Sequence, residues 1–306
     1  MVRLYSEIMT EKSFVHLHNH SEFSFIDGSS LLDSMASICN NLGMPAIALT
    51  DHGNMYGAID FYNACKTKNI KPIIGCEFYI APKSRFDKDP SYSYDHLTVI
   101  AKNNLGYSNL IKLVSKGNLE GFYYRPRIDK EILKEHSEGL VVLSGCPSAE
   151  LFKKIVSGDE KSIMDTIDWY KEVFGDDYYL EIMRHEHVEN QEKVNQWIIN
   201  NYKQLNVKIV ATNDNHYETK DDYEKEILLK NVRSGSSNPR SDILEDNSYY
   251  IASPEEMRKK FKDVPEACDN TLEIADKCNI EIDFSGTMIP EFKTPENKDS
   301  FLYLKE

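Results

Sequence analysis

No apolar run in this 306-residue chain is long enough to cross a bilayer, which excludes a membrane-spanning helix. Met1 to Lys12 mixes charges and lacks the apolar centre of an export signal, so a cytoplasmic location is expected. Cysteine is sparse. Cys39, Cys65, Cys76, Cys146, Cys268 and Cys278 form no CxxC pair and no disulfide-like framework, so they read as reduced and mostly buried thiols. Positive charge is in deficit, with 36 Lys and Arg against 50 Asp and Glu and a net charge of −14. Such a chain does not hold nucleic acid by counterion release over a wide surface. Contact with nucleic acid has to be local, metal-mediated or supplied by another domain. Internal repeats and low-complexity linkers are also absent.

Histidine is scarce as well, yet three of the nine fall in Phe14-Val-His-Leu-His-Asn-His20. Alternation along a strand directs His16, His18 and His20 to one face. Imidazole is the commonest protein ligand for transition metals, so this strand is a candidate metal site. Solvated polar residues on a strand are the plain alternative.

Short apolar runs alternate with segments of helical period. The expected strands are Phe14–His18, Ala46–Thr50, Pro72–Tyr79, Leu97–Ala101, Leu140–Ser144, Tyr178–Met183 and Lys208–Thr212. Between them, 30–42, 57–68, 105–116, 162–174 and 189–204 read as helices. Ser29 and Ser30 can cap the first helix, and Gly43 can end it before Pro45. This βαβα rhythm predicts a parallel sheet or barrel of about seven units. Ser234 to Arg240 is a loop by composition, 254–262 and 265–278 are two further helices, and the last six residues read as the opening of another element.

In a parallel barrel the active site lies at the carboxyl ends of the strands. His18, His20 and Asp27 follow the first expected strand, and Asp51 and His52 end the second. Glu77 lies in the third, Cys146 follows the fifth, and Asp214 and His216 follow the last. His96 precedes the fourth strand, which places it at the wrong end. One or two of these residues are explained by capping or burial; convergence of so many is not.

The runs His16-Leu-His-Asn-His-Ser-Glu-Phe-Ser-Phe-Ile-Asp-Gly28, Ala48-Leu-Thr-Asp-His-Gly-Asn-Met-Tyr-Gly57, Lys71-Pro-Ile-Ile-Gly-Cys-Glu77 and Asn213-Asp-Asn-His-Tyr217 resemble the PHP (polymerase and histidinol phosphatase) family. Tyr124-Arg-Pro-Arg-Ile-Asp129, Leu143-Ser-Gly-Cys146 and Thr271-Leu-Glu-Ile-Ala-Asp-Lys-Cys278 narrow the resemblance to the PHP domains at the N-termini of bacterial C-family replicases, the DNA polymerase III alpha subunits. The resemblance implies an α/β fold: a distorted seven-stranded barrel over 1–285 with a short helical C-terminal extension, and the start of a linker or palm region over 286–306. It also implies up to three divalent ions. His18, His20, Glu77 and Asp214 would hold one, Asp27, His52 and His216 a second, and Glu77, His96 and Cys146 a third.

A mixture of imidazole, carboxylate and one thiolate suits zinc, with manganese or iron as alternatives. Phosphoester hydrolysis is the chemistry such a site supports, with Asp27, Glu77, Asp214 and His216 as the candidate catalytic residues. In the implied replicase setting this is 3′–5′ exonuclease action on a DNA 3′ end, bound weakly by the isolated domain. Implied partners are the remaining polymerase domains in cis and a separate proofreading subunit. Two other readings are open: a metal-stapled scaffold without catalysis, and a free-standing phosphatase of small phosphomonoesters. Asp51 is expected to orient a ligand, Arg125 and Arg127 to touch phosphate or line a solvated loop, and Tyr123 and Tyr124 to stack on a base or pack in the core. His185 and His187 form a second HxH outside the implied ligand set.

Overall fold

The structure, a computed structural model, describes residues 13–25, 27–91, 93–234, 247–286 and 293–305. Beyond Ser234, the loop expected up to Arg240 lies outside the described residues, as do the first twelve residues and 287–292. Strands β1 (Ala46–Leu49), β2 (Lys71–Ile80), β3 (Asp95–Ala101), β4 (Phe122–Tyr123), β5 (Arg125–Ile128), β6 (Leu140–Leu143), β7 (Tyr178–Ile182) and β8 (Lys208–Ala211) form one sheet. Its order is β4-β5-β2-β3-β6-β7-β8, with β1 also on β2. Helices α1 (Leu32–Asn41), α2 (Ala58–Thr67), α3 (Asn104–Leu119), α4 (Lys130–Glu135), α5 (Glu150–Ser157), α6 (Glu160–Phe174) and α7 (Gln191–Leu205) alternate with the strands. After β8 come α8 (Tyr223–Ser234), α9 (Pro254–Lys260), α10 (Glu266–Lys277) and α11 (Ser300–Lys305).

Six of the seven expected strands stand in this sheet. The seventh, Phe14–His18, forms no ladder, yet it closes the barrel. His16 bridges Ile47 and Asn19 bridges Asn215, both in parallel sense. Ala48 and Thr50 donate to the carbonyls of His16 and Asn19, while His20 donates to Asn215 and Asn215 to His18. The segment thus runs between β1 and the chain leaving β8. With it the barrel has the seven staves expected, and the β4–β5 ribbon is an addition on the β2 edge. Those two strands span two and four residues, one with an internal proline, too short to give a period.

The expected parallel sense holds for β1–β2, β2–β5, β6–β7 and β7–β8 but not for β3. That strand runs antiparallel to both β2 and β6. A parallel return needs a crossover, usually a helix, and the described residues between β2 and β3 contain none.

Strand alternation builds the interior in layers. Val15, Leu17, Ala48, Ile73, Ile100, Leu143, Tyr179 and Val210 fill it from all seven staves. Ile274 and Ala275 of α10 and Cys278 directly after it pack against them. Helix α10 lies across the barrel end where β2 and β8 begin: Lys71 Nζ donates to Ala275 O at 2.6 Å, and Lys208 pairs with Glu273 at 2.6 Å. Part of the expected C-terminal extension is therefore a plug. Ser29 and Ser30 do not cap α1, which starts at Leu32 with no side-chain cap. Their backbones serve the loop before it: Ser30 O accepts from Glu22 N–H, and Ser29 N–H donates to His216 O.

The three N-terminal histidines do not share a face. Val15 and Leu17 point inward, and a bend at His18 then turns the chain. Asn19 holds that bend, its Nδ2 donating to His16 O at 3.0 Å and Ala48 O at 2.8 Å. His16 stays outside the mouth, with Nε2 donating to Ala252 O at 2.8 Å and Nδ1 accepting from Asn215 Nδ2 at 2.9 Å. Burial pushes its pKa down to about 4, so the ring is neutral near pH 7. His16→Leu is expected to cost about 2–4 kcal/mol, because it leaves a buried carbonyl and amide unpaired. Urea unfolding tests this, and metal content should not change; lost metal would make His16 part of the ligand set.

Candidate metal centre

The centre grows out of the same alternation. Moving from the apolar layer to the mouth, Ile73 gives way to Glu77, Tyr179 to Glu181 and Val210 to Thr212, each an even step along its strand. On β3 the step runs backwards, from Ile100 to Thr98 to His96, because that strand is antiparallel. His96 therefore reaches the same mouth from the start of its strand.

Glu77 is the hub. Its Oε1 lies 3.0 Å from His96 Nδ1, 3.4 Å from His18 Nε2 and 3.3 Å from Cys146 Sγ. Its Oε2 lies 2.6 Å from His52 Nδ1 and 3.4 Å from His20 Nε2. Asp214 Oδ1 stands 3.1 Å from His20 Nε2 and 3.4 Å from His18 Nε2, and Asp27 Oδ1 stands 3.2 Å from His52 Nε2. His216 completes the group, with His20, His52 and His216 offering ligand atoms within 4.8 Å of one another. So do His18, His20 and Asp214, and likewise His52, Glu77 and His96. All nine residues singled out from the sequence converge here. They pack as one continuous cluster, with His20 stacked on His52 at 4.0 Å, instead of three separate sets.

Hydrogen bonds behind the rings fix which nitrogen faces the mouth. His18 Nδ1 meets Glu181 Oε1 at 2.8 Å, which assigns the proton to that nitrogen. Ser24 gives its hydroxyl proton to Asp51 at 2.7 Å, so it accepts from His20 Nδ1 at 3.1 Å. His216 Nδ1 donates to Asp214 O at 2.7 Å. All three rings then turn a bare Nε2 inward, and His18 and His20 aim theirs at carboxylate oxygens. Lone pairs facing carboxylates at 3.1–3.4 Å repel unless a cation lies between them. Among the described residues, the buried His18 Nε2, His52 Nδ1, Asp27 Oδ1 and Glu77 Oε2 stand in close ion-pair contacts without the angles of a hydrogen bond. The donor set fits divalent metal.

Without metal, protons do this work. Burial opposes charge on His18, but Asp214, Glu181 and Glu77 outweigh it and raise its pKa well above the usual value. Asp27 and Glu77 do the same for His52 against its burial. Burial and the neighbouring His52 and His216 push His20 down to about 3. Burial works to raise Glu77, yet His96, His52 and His18 hold it well below the usual carboxylate range. Asp27 and Asp214 are lowered likewise, by His52 and by His18 respectively, against burial. Burial, with Glu77 and Asp214, raises the Cys146 thiol.

Residues 16–185 match the PHP domain family. The chain belongs to that family. This PHP domain is 42% identical to the DNA polymerase III subunit alpha of Borreliella burgdorferi over 92% of the chain. It is 40% identical to that of Helicobacter pylori strain 26695 and 38% identical to that of Chlamydia pneumoniae, each over 96% of the chain. These matches take up 25%, 25% and 26% of the relatives' lengths, so the domain spans about a quarter of them. A solved structure from Bifidobacterium adolescentis, assigned as a metal-dependent phosphoesterase, covers 81% of the chain and 96% of its own at 14% identity and a TM-score of 0.43.

Around the centre, this PHP domain carries supports that its sequence did not flag. Glu181 orients His18 and also accepts from Gly145 N at 2.9 Å and Thr212 Oγ1 at 2.6 Å. It was missed because a lone Glu in an apolar strand has no local signature; only its inward parity marks it. Asp51, expected from the sequence to orient His52 or a neighbouring ligand, is placed behind His20 through Ser24. Glu226 of α8 is a further buried carboxyl, raised by burial against the pull of His216 and Lys230. Arg127 is spent on the carbonyls of Gly121, Arg85 and Asp87. His185 stacks on Tyr249 at 3.9 Å and His187 meets the Tyr249 hydroxyl at 3.3 Å; neither enters the cluster. No helix among the described residues is long and apolar enough to cross a membrane.

Proposed function

We propose that this PHP domain is a metal-dependent phosphoesterase acting on the 3′ end of single-stranded DNA, within a replicative polymerase of the kind its relatives represent. One observation carries the reading: inward-facing Nε2 lone pairs held against buried carboxylates, which calls for divalent cations. His18, His20, Asp27, His52, Glu77, His96, Cys146, Asp214 and His216 would hold two or three ions, zinc first, with manganese or iron as alternatives. Bound there, such ions supply a nucleophilic water at neutral pH and neutralise phosphoryl oxygens. The protein's own part is orientation. Glu181, Ser24 and the Asp214 carbonyl lock three imidazoles, and the carboxylates of Asp27, Glu77 and Asp214 fix the charge. The net charge of −14 confines the attraction for phosphate to this mouth.

A non-catalytic staple is the second reading. It is favoured by one fact: His18, His20, Asp214 and His216 lie on the two segments that close the barrel. Elemental analysis after chelator-free purification, paired with hydrolysis of 3′-labelled single-stranded DNA, separates the two. We expect two to three metal equivalents and chelator-sensitive release of 3′ nucleotides. Metal without hydrolysis leaves the staple; a metal-free protein sinks both.

A further inference from the structure

Among the described residues Arg125 has no counter-ion, in a chain rich in carboxylates. Arg85 pairs with Glu120 and Asp129, Arg184 with Asp263 and Arg258 with Asp269, while Arg127 is held by backbone carbonyls. Arg125 makes no hydrogen bond or ion pair among the described residues; its guanidinium lies 5.8 Å from the centre of the Tyr79 ring. Tyr79 in turn stacks on His52 at 5.9 Å and meets His96 edge-on at 5.2 Å. The backbone enforces this proximity. Gly53, directly after His52, has φ +63°, and a Cβ there would come within 2.7 Å of Pro126, the neighbour of Arg125.

Tyr124 forms the one-residue turn between β4 and β5 with φ +59°. A bulky side chain is disfavoured in that region, and a residue 75% exposed recovers little of the strain by burial. Its neighbour Tyr123 packs edge-on at 4.6 Å. A strained, exposed aromatic next in sequence to an arginine that packs by Tyr79, itself against His52 and His96, has the makings of a nucleotide subsite.

We propose that Arg125 and Tyr124 seat the nucleotide adjoining the scissile phosphodiester, Arg125 on its phosphate oxygens and Tyr124 stacked on its base. This rests on the phosphoesterase reading. Stacking tolerates any base, so the subsite selects single-stranded nucleic acid without sequence preference.

The test uses the manganese-loaded chain with two probes, a short oligothymidylate and the same oligonucleotide with an abasic 3′ residue. Anisotropy gives affinity, and release of the terminal residue gives KM. Arg125→Gln should weaken both probes about tenfold, as loss of a charge-assisted contact predicts. Tyr124→Asn, which suits the positive φ, should weaken oligothymidylate about tenfold and leave the abasic probe unchanged. Metal content should be equal in all three chains. Variants that bind and cleave both probes like the parent overturn this inference and leave the phosphoesterase reading standing. Loss of metal in either variant makes these residues structural and also overturns it. A metal-loaded parent that neither binds nor cleaves sinks the reading and the subsite together.

Discussion

Asp214→Asn is expected to reduce phosphoester hydrolysis by about a thousandfold or more while the barrel stays folded. Asp214 Oδ1 faces the inward nitrogens of both His18 and His20, so its charge helps hold a cation that neither ring holds alone. Stabilisation of transition-state charge by such a cation is worth several kcal/mol, and about 4 kcal/mol corresponds to a thousandfold. Asparagine is the informative replacement because Asp214 has φ +49°, a region asparagine tolerates and alanine does not. It also keeps the backbone carbonyl that accepts from His216. Steady-state rates on 3′-labelled single-stranded DNA, with urea midpoints alongside, measure the two effects. Unchanged rates would place the chemistry elsewhere.

Glu77→Ala should be the most destabilising single change at the centre, costing the metal-free protein about 3–5 kcal/mol. The carboxylate is buried among His18, His52 and His96, two of which it helps to hold protonated. Its removal strands buried imidazolium charge. The pH dependence follows from the directions of the shifts. Glu77 is lowered, so its contribution is present above the ordinary carboxylate value near 4.5 and is lost as pH falls through the folded value. His18 and His52 are raised, so theirs is present below 6.5 and is lost as pH rises through their folded values. The cost of Glu77→Ala should therefore be greatest in weakly acidic to neutral solution and shrink toward both extremes. Unfolding free energies of both proteins across pH, in chelator, measure this. A cost that does not vary with pH would mean that the loss is cavity formation alone. If metal addition stabilises the parent but not the variant, the staple role is real whether or not catalysis accompanies it.

The sequence by itself determined the run of strands and which ligand-type side chains the fold brings to its mouth. His18, His20, Asp27, His52, Glu77, Cys146, Asp214 and His216 were legible because ligand-type side chains recur at strand ends, and strand ends are marked locally by period and composition. Six of the expected strands formed for the same reason. Tertiary structure alone decided which way β3 runs, and with it why His96 belongs to the centre; strand direction depends on the connection, not on local pattern. It also turned His16 away at a bend held by Asn19, because a period of two assumes a regular strand and this segment is tied only by bridges. Glu181 and Ser24 became supports of the rings, and Asp51 took the orienting place expected of it, through contacts spanning 27 to 163 residues, except for the four-residue reach from Ser24 to His20. The tautomers they impose, and so the demand for a cation, exist only where the closed barrel brings those residues together.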